Sequence, residues 1–212
     1  MSDTTDDHVS HPGSAVVNRR LSQEAFRKLT AGMVINQTRY ENGELVPNPL
    51  FDELFKERDR YYVEAYANMG MDLVQRPGFF YVRSLSAFQD DDDNRDQEST
   101  GAIRQIQGVL LVLGRGVLEK GFMFDALTSP EAGISRDILE SIGNDSVFSQ
   151  ILKACKMDQP LPAAAKVALV DRDIAFFNDK GNLVLTEAGK AFFDDIFTEH
   201  ESSTHSSGQG GA

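Results

Sequence analysis

The chain has little of what secreted proteins, membrane proteins and most enzymes need. Its one cysteine, Cys155, permits no internal disulfide and favours a reducing, cytoplasmic setting, where we interpret it as a buried structural thiol. The longest apolar run, Val109–Leu113, is far shorter than the ~20 residues that a membrane-spanning helix requires. The opening stretch MSDTTDDHVSHPGSA has neither a basic start nor an apolar segment, so we expect no signal peptide.

Histidine occurs only where nothing would hold it in a catalytic geometry. The four histidines lie in the two end segments that we predict to be disordered, and they are His8, His11, His200 and His205. A catalytic histidine must lie within about 3 Å of its partner, so the sequence argues against a histidine-based triad. No spacing of Asp, Glu, Cys and His stands out as a metal site, so we expect no metal.

Phosphate-binding motifs are missing as well. The sequence contains no G-x-x-x-x-G-K-[ST] loop. Gly114-Arg115-Gly116 follows the apolar run like the start of a dinucleotide fingerprint, but Glu119 stands where the third glycine belongs. We interpret these glycines as a close packing contact of a helix. The sequence therefore predicts a protein that is not an enzyme and binds no cofactor.

The net charge of −12 is distributed unevenly along the chain. Residues 89–99 contain six acidic side chains and one basic one, whereas residues 16–88 contain nine acidic and ten basic ones. Segments this polar do not pack, so we predict a disordered N-terminus at 1–15, an acidic linker at 89–99 and a disordered tail at 198–212. The linker lacks the glycine and glutamate of a calcium loop. The nearly neutral remainder leaves room for weak, local DNA contact and argues against a broad basic footprint.

Residues 16–88 predict a first small domain. Ser22 is the expected N-cap of a short helix that ends at Thr30, and Asn48-Pro49 begins a longer helix. The inward face of that longer helix should carry Leu50, Leu54, Tyr61 and Ala65. Met71–Gln75 and Phe79–Arg83 then read as two strands joined by a turn that contains proline and glycine.

Residues 100–197 predict a second domain of the same type. It should begin with a helix at Gly101–Glu119 that is buried between neighbours because its apolar face is broad. That face consists of Ile103, Ile106, Val109, Leu110, Val112, Leu113 and Val117. Shorter helices are expected at Ser135–Ile142, Ser146–Cys155 and Leu161–Asp173. A hairpin turning at Asp179-Lys180-Gly181 follows, and Thr186 should cap the last helix.

Each half therefore reads as helices followed by a two-stranded hairpin, which is the outline of a winged helix. We predict a mainly α protein with small β-hairpins, of the α+β class, built from tandem winged-helix domains at 16–88 and 100–197. Three adjacent aromatic pairs suit protein–protein surfaces, although we expect most of their rings to pack in cores. These pairs are Tyr61 and Tyr62, Phe79 and Phe80, and Phe176 and Phe177.

The helix before the second hairpin is poorly suited to reading bases. In a DNA-reading winged helix this element enters the major groove, but here it offers Lys166 and Arg172 beside Asp171 and Asp173. A few cations could still contact phosphates weakly and without sequence preference, although each could equally be an ordinary surface side chain. These candidates are Lys166, Arg172, Lys180, Arg76 and Arg83.

Two stretches resemble a known family. YANMGMDLVQRPGFFYVRS, at Tyr66–Ser84, is similar to the segment of MukE-type proteins in which a long helix leads into a hairpin with paired aromatics. LVDRDIAFFNDKGNLVLTEAGKAFF, at Leu169–Phe193, is similar to that family's final helix and wing. The chain is shorter at its C-terminal end than MukE and is more similar to the divergent MksE branch.

The resemblance implies a cytoplasmic, nucleoid-associated subunit built of tandem winged helices. Such subunits dimerise, bind the middle region of a MukF/MksF-like kleisin and, through it, join a MukB/MksB-like SMC ATPase that carries the ATP chemistry. The implied task is compaction and segregation of the bacterial chromosome, or restriction of plasmids. The alternative is a winged-helix transcriptional regulator, which should prefer one operator over random duplex by roughly 10³-fold or more.

Overall fold

The computed structural model describes residues 17–85 and 96–205, with the backbone alone for residues 96–100 and 198–205. The α-helices of these ranges are α1 Arg19–Thr30, α2 Pro49–Glu57, α3 Val63–Ala67, α4 Asp96–Glu119, α5 Asp125–Thr128, α6 Arg136–Gly143, α7 Ser146–Ala154, α8 Leu161–Ala168 and α9 Glu187–His205. The strands are β1 Ile35–Asn36, β2 Thr38–Glu41, β3 Glu44–Pro47, β4 Met71–Arg76, β5 Phe79–Ser84, β6 Ala175–Phe177 and β7 Leu183–Leu185. A π-helical turn covers Arg58–Tyr62, and a 3-10 turn covers Val170–Arg172.

The first half, residues 17–85, packs α1, α2 and α3 on a three-stranded antiparallel sheet with the order β1–β5–β4. The predicted hairpin is its β4–β5 pair. The sequence interpretation missed β1 and a second hairpin, β2–β3. The turn of that hairpin is Asn42-Gly43, with φ values of 51° and 90°, and Asn-Gly is a strong sequence signal for a two-residue hairpin turn.

The cap of α1 differs from the prediction, whereas the cap of α2 is confirmed. Asn18, rather than Ser22, caps α1, because its side-chain oxygen accepts the N–H groups of Arg20 and Leu21 at 3.1 and 3.2 Å. Ser22 lies inside the helix and is buried. Asn48 accepts the N–H of Leu50 at 3.1 Å, as its position before a proline predicts.

The π-helical turn between α2 and α3 changes which aromatic side chains are buried. Its i to i+5 hydrogen bonding, seen from Val63 N–H to the Arg58 carbonyl, adds a residue to the turn. The inward face shifts by one position, so that Tyr62 and Tyr66 are fully buried while Tyr61 is 38% exposed. The predicted inward face is therefore wrong after Leu54, because it contained Tyr61 and Ala65 in place of Tyr62 and Tyr66.

The second half, residues 96–205, is built around α4. This helix begins at Asp96, inside the predicted linker. A Cβ on Gly114 would lie 2.4 Å from Phe193, and one on Gly116 would lie 2.3 Å from Ile142, so both glycines mark close packing as predicted. Ile103 is 55% exposed, which contradicts its predicted place on the buried face.

Two boundaries of the second half differ from the prediction. The helix expected at Leu161–Asp173 ends at Ala168 and continues as the 3-10 turn, after which Asp173 takes a left-handed φ of 58° that no helix continues through. The last helix runs to His205, into the predicted tail. The predicted disorder of residues 1–15 and the remaining parts of the predicted linker and tail, 89–95 and 206–212, lie outside the described residues.

The two halves repeat one order of elements. In each, a helix precedes a short extended segment, further helices follow, and a hairpin comes next. The short segment pairs with the second strand of that hairpin, through Ile35 opposite Phe80 in the first half and a bridge from Ile134 to Leu183 in the second. Helices with small antiparallel sheets place the protein in the predicted α+β class.

Strand β5 belongs to both cores. Its adjacent phenylalanines point to opposite faces of the sheet, because side chains alternate along a strand. Phe80 packs in the first-half core with Leu29, Leu54 and Tyr66, whereas Phe79 packs in the second-half core. Of the other paired aromatics, Phe176 is half-buried and Phe177 is 38% exposed. One strand thus contributes side chains to the cores of both halves.

Candidate functional site

Arg76, the last residue of β4, forms an ion pair with a residue of the last helix, α9. Its guanidinium donates to both carboxylate oxygens of Asp195, at 2.5 and 3.1 Å, and its charged end lies 5.8 Å from the centre of the Phe79 ring. These hydrogen bonds raise the pKa of Arg76 above its ordinary value. The predicted phosphate contact therefore serves first as a bidentate link between β4 and α9.

Two further predicted cations also lie against carboxylates. Arg83 donates from Nε to Asp72 at 2.8 Å across the β4–β5 pair. Lys166, near the end of α8, reaches Asp171 at 2.7 Å. Both pairs are exposed, so each contributes little to stability. A phosphate would nevertheless compete with an acidic neighbour at both positions.

The remaining two cations lie at separate places in the second half. Lys180, in the turn between β6 and β7, donates to the Glu131 carbonyl at 2.8 Å. Arg172 is half-buried where the halves meet, and its carbonyl accepts the N–H of Val34 at 3.0 Å. Within the described residues, no hydrogen bond or ion pair joins any two of the five candidates. The structure does not bring them together as one cluster.

The most connected polar residue between the halves is Asn36, which the sequence interpretation did not select. Its side chain is buried, donates to the Asp173 carbonyl at 2.7 Å and accepts the N–H of Ala188 at 3.1 Å. Its own carbonyl accepts from Asn48 at 2.8 Å. One amide from β1 therefore satisfies backbone groups before β6 and at the start of α9.

Side chains around Asn36 extend this contact. Lys28 pairs with Asp173 at 2.7 Å, and Thr38 donates to Glu187 at 2.7 Å. The rings of Tyr40 and Phe176 stack with centroids 4.6 Å apart, which joins the missed β2–β3 hairpin to β6. We call this set of side chains the junction; it consists of Lys28, Asn36, Thr38, Tyr40, Asp173, Phe176 and Glu187. Part of the junction could have been predicted from the Asn-Gly turn, because that turn indicates the hairpin on which Thr38 and Tyr40 lie.

The junction encloses a cleft of about 160 Å³. Its lining includes Lys28, Asn36, Thr38, Asp173 and Glu187, whose polar groups already bond one another. The Thr38 hydroxyl and the Glu187 carboxylate of this lining bond one another, so the arrangement joins the two halves. It is a structural joint with a small polar opening.

Neither a metal site nor a reactive thiol emerges from the described part of the chain. Among those residues, no group of three or more His, Cys, Asp and Glu side chains could hold a metal ion. Cys155 is half-buried, and burial raises the pKa of its thiol, which keeps it protonated. A Cβ on Gly108 would lie 2.4 Å from its sulfur, so the thiol packs closely against α4. No helix in the described ranges is long and apolar enough to cross a membrane.

One comparison with known proteins gives a match. The family model of condensin complex protein MksE matches residues 20–197, from the first turn of α1 into α9. No curated protein matches the chain. The matched range contains both halves and the whole junction.

Proposed function

The chain belongs to the family of condensin complex protein MksE, and on that premise we propose that it binds a kleisin and, through it, an SMC-like ATPase. Membership of the family makes it an accessory subunit of a condensin complex. The match over residues 20–197 carries the proposal, because it includes both halves rather than one hairpin. The partners would be MukF/MksF-like and MukB/MksB-like.

We propose that each half is a winged helix. The support is the repeated order of elements, with a short segment paired to the second strand of each hairpin. In this arrangement the wings are β4–β5 and β6–β7, and the junction holds the two modules in one orientation. The modules would then act as a single rigid body in the complex.

Exposed apolar side chains support a role in protein–protein contact. Phe55, Leu118 and Met123 are 60%, 58% and 74% exposed. Contiguous apolar patches, rather than single exposed side chains, mark surfaces that partners cover, and Leu118, Phe122 and Met123 lie within six residues at the end of α4 and just after it. A kleisin and a second copy of the chain would cover such surfaces in the assembled complex.

We propose that the subunit performs no chemistry of its own and that ATP hydrolysis lies in the ATPase partner. The junction, whose polar groups bond one another, supports this view. The biological task would be compaction and segregation of the chromosome, or restriction of plasmids, at the nucleoid. Direct DNA contact would be weak and without sequence preference, since three of the five predicted cations would first have to leave a carboxylate.

Capture of the tagged full-length chain from its native host tests the proposal. We expect mass spectrometry to identify a kleisin and a large coiled-coil ATPase among the retained proteins. Retention of neither would overturn the proposed function. Selective binding to one operator, by roughly 10³-fold over random duplex, would instead identify a transcriptional regulator.

A further inference from the structure

Helix α1 has an exposed face on which every ionisable side chain is basic. Its exposed residues are Arg19, Arg20, Gln23, Arg27 and Thr30. We call Arg19, Arg20, Gln23 and Arg27 the α1 face. Acidic side chains of the described residues near this face include half-buried Glu24 on the same helix and Glu53, whose carboxylate accepts the Asn18 N–H at 2.8 Å. Because the chain is acidic overall, an exposed face whose ionisable side chains are all basic needs a physical explanation.

The stability of the helix itself does not explain two of these arginines. The first turn of α1 contains no acidic residue, and Arg19 and Arg20 occupy it instead. The helix dipole favours negative charge at this end, so positive side chains here are unfavourable. Arg27, in the last turn, is favourably placed. The cap from Asn18 holds the helix start in spite of the two arginines, which suggests that they serve something outside the chain.

The three arginines also differ from the five cations selected from sequence. Within the described residues, Arg19, Arg20 and Arg27 form no ion pair, whereas Arg76, Arg83 and Lys166 each lie against a carboxylate. An anion that approaches α1 therefore displaces no internal partner. Arginine's planar fork suits phosphate oxygens, which it can bind through two parallel hydrogen bonds.

The spacing suits an extended anion rather than a point charge. Arg20, Gln23 and Arg27 follow one another at helical intervals and lie on one side of the helix. At 1.5 Å per residue, the line from Arg20 to Arg27 spans about 10 Å. Successive phosphates of one DNA strand rise by about 3.4 Å, so long side chains on this line reach two or three of them.

We propose that the α1 face is a surface for the phosphate backbone of duplex DNA, bound without sequence preference. This inference rests on the proposed function and adds to it a place of DNA contact. An acidic protein is the competing occupant. Protein interfaces have an apolar centre, yet the α1 face has no exposed large apolar side chain, which favours DNA.

The test compares two charge-matched triple variants of the full-length chain. The first is Arg19→Ala, Arg20→Ala and Arg27→Ala, and the second is Arg83→Ala, Lys166→Ala and Lys180→Ala. Affinity for a fluorescent random-sequence duplex is measured over a salt series. Each phosphate contact contributes about 0.9 to the slope of log affinity against log salt, so the first variant should lower the slope by about 2 to 3. Its affinity at low salt should fall by roughly tenfold or more, and the second variant should resemble the unmodified chain.

Other outcomes overturn the assignment. An unchanged slope in the first variant, or an equal loss in both variants, would remove the α1 face as the DNA surface. Loss of a co-purified protein with unchanged DNA affinity would identify an acidic protein as its occupant. Thermal unfolding checks folding, and a triple Arg→Lys variant, which keeps the charge, should retain the slope. Capture of kleisin and ATPase by the unmodified chain separates failure of this inference from failure of the proposed function.

Discussion

The two halves bury different kinds of interior. The second-half core is large and almost wholly apolar, with alanines from α8 at its centre and two residues, Val34 and Phe79, supplied by the first half. The first-half core is smaller and contains polar groups, since Tyr66 and Glu57 are buried there. The first half thus contributes apolar side chains to the second-half core, while its own core contains fewer apolar side chains. We therefore expect the first half to depend on the junction for its stability.

The largest expected effect comes from Phe79→Ala. Phe79 is fully buried in the second-half core although it lies on a strand of the first half. Removing a buried phenylalanine costs about 3 to 5 kcal/mol of unfolding free energy. Hydrogen exchange followed by mass spectrometry should show peptides of both halves losing protection together. The matched variant is Phe80→Ala, whose ring packs in the first-half core and which should affect that half more strongly. Protection lost in one half alone after Phe79→Ala would mean that the cores are independent.

A smaller effect is expected from Asn36→Ala. The change leaves the Ala188 N–H without its side-chain partner in a buried site, whereas the Asp173 carbonyl keeps the Thr186 hydroxyl as a donor at 3.1 Å. A buried group left unsatisfied costs about 1 to 3 kcal/mol, so we expect a loss of about 1 to 3 kcal/mol in chemical denaturation. Exposed Asn144, whose side chain makes no hydrogen bond in the described part of the chain, provides the control Asn144→Ala. Equal losses in the two variants would show that the junction contributes nothing particular.

The smallest effect concerns the pH dependence of the first-half core. Burial raises the pKa of Tyr66 above its ordinary value of about 10, so the folded chain holds this proton more tightly than the unfolded chain. Stability from this group is present below pH ~10 and is lost as the pH rises above it. Tyr66→Phe should therefore make the unfolding free energy less sensitive to pH above ~10, with a change of at most about 1 kcal/mol at neutral pH. The partly exposed Tyr61→Phe is the control. An identical alkaline loss in Tyr66→Phe and the unmodified chain would contradict this assignment.

Local signals in the sequence predicted most elements but not how they pack. The cap at Asn48-Pro49, the helix start after Ser135 and the turn at Asp179-Lys180-Gly181 follow from short-range chemistry, whereas the glycines at 114 and 116 predict close packing without its partners. The β2–β3 hairpin was missed although its Asn-Gly turn is a signal of the same kind. By contrast, Tyr62 is buried instead of Tyr61 because of a π-helical turn, and the spacing of apolar residues does not predict such a turn.

The candidate site was less predictable than the fold. Positive charge on Arg76 and Arg83 is visible in the sequence, but the carboxylates that face these two groups are not. Asp195 lies 119 residues away from Arg76 along the chain. A cation's availability to an outside anion depends on such neighbours, and the three arginines of α1 form no ion pair in the described part of the chain.

The sequence by itself determined the class of the protein, its helices and hairpins, and the resemblance that led to its family, because caps, turns and motifs act over a few residues. Tertiary structure alone decided that β5 serves two cores, that Asn36 joins the halves and which cations remain unpaired. These outcomes depend on side chains that are far apart in the sequence. Such side chains pack and form hydrogen bonds only after folding has brought them together.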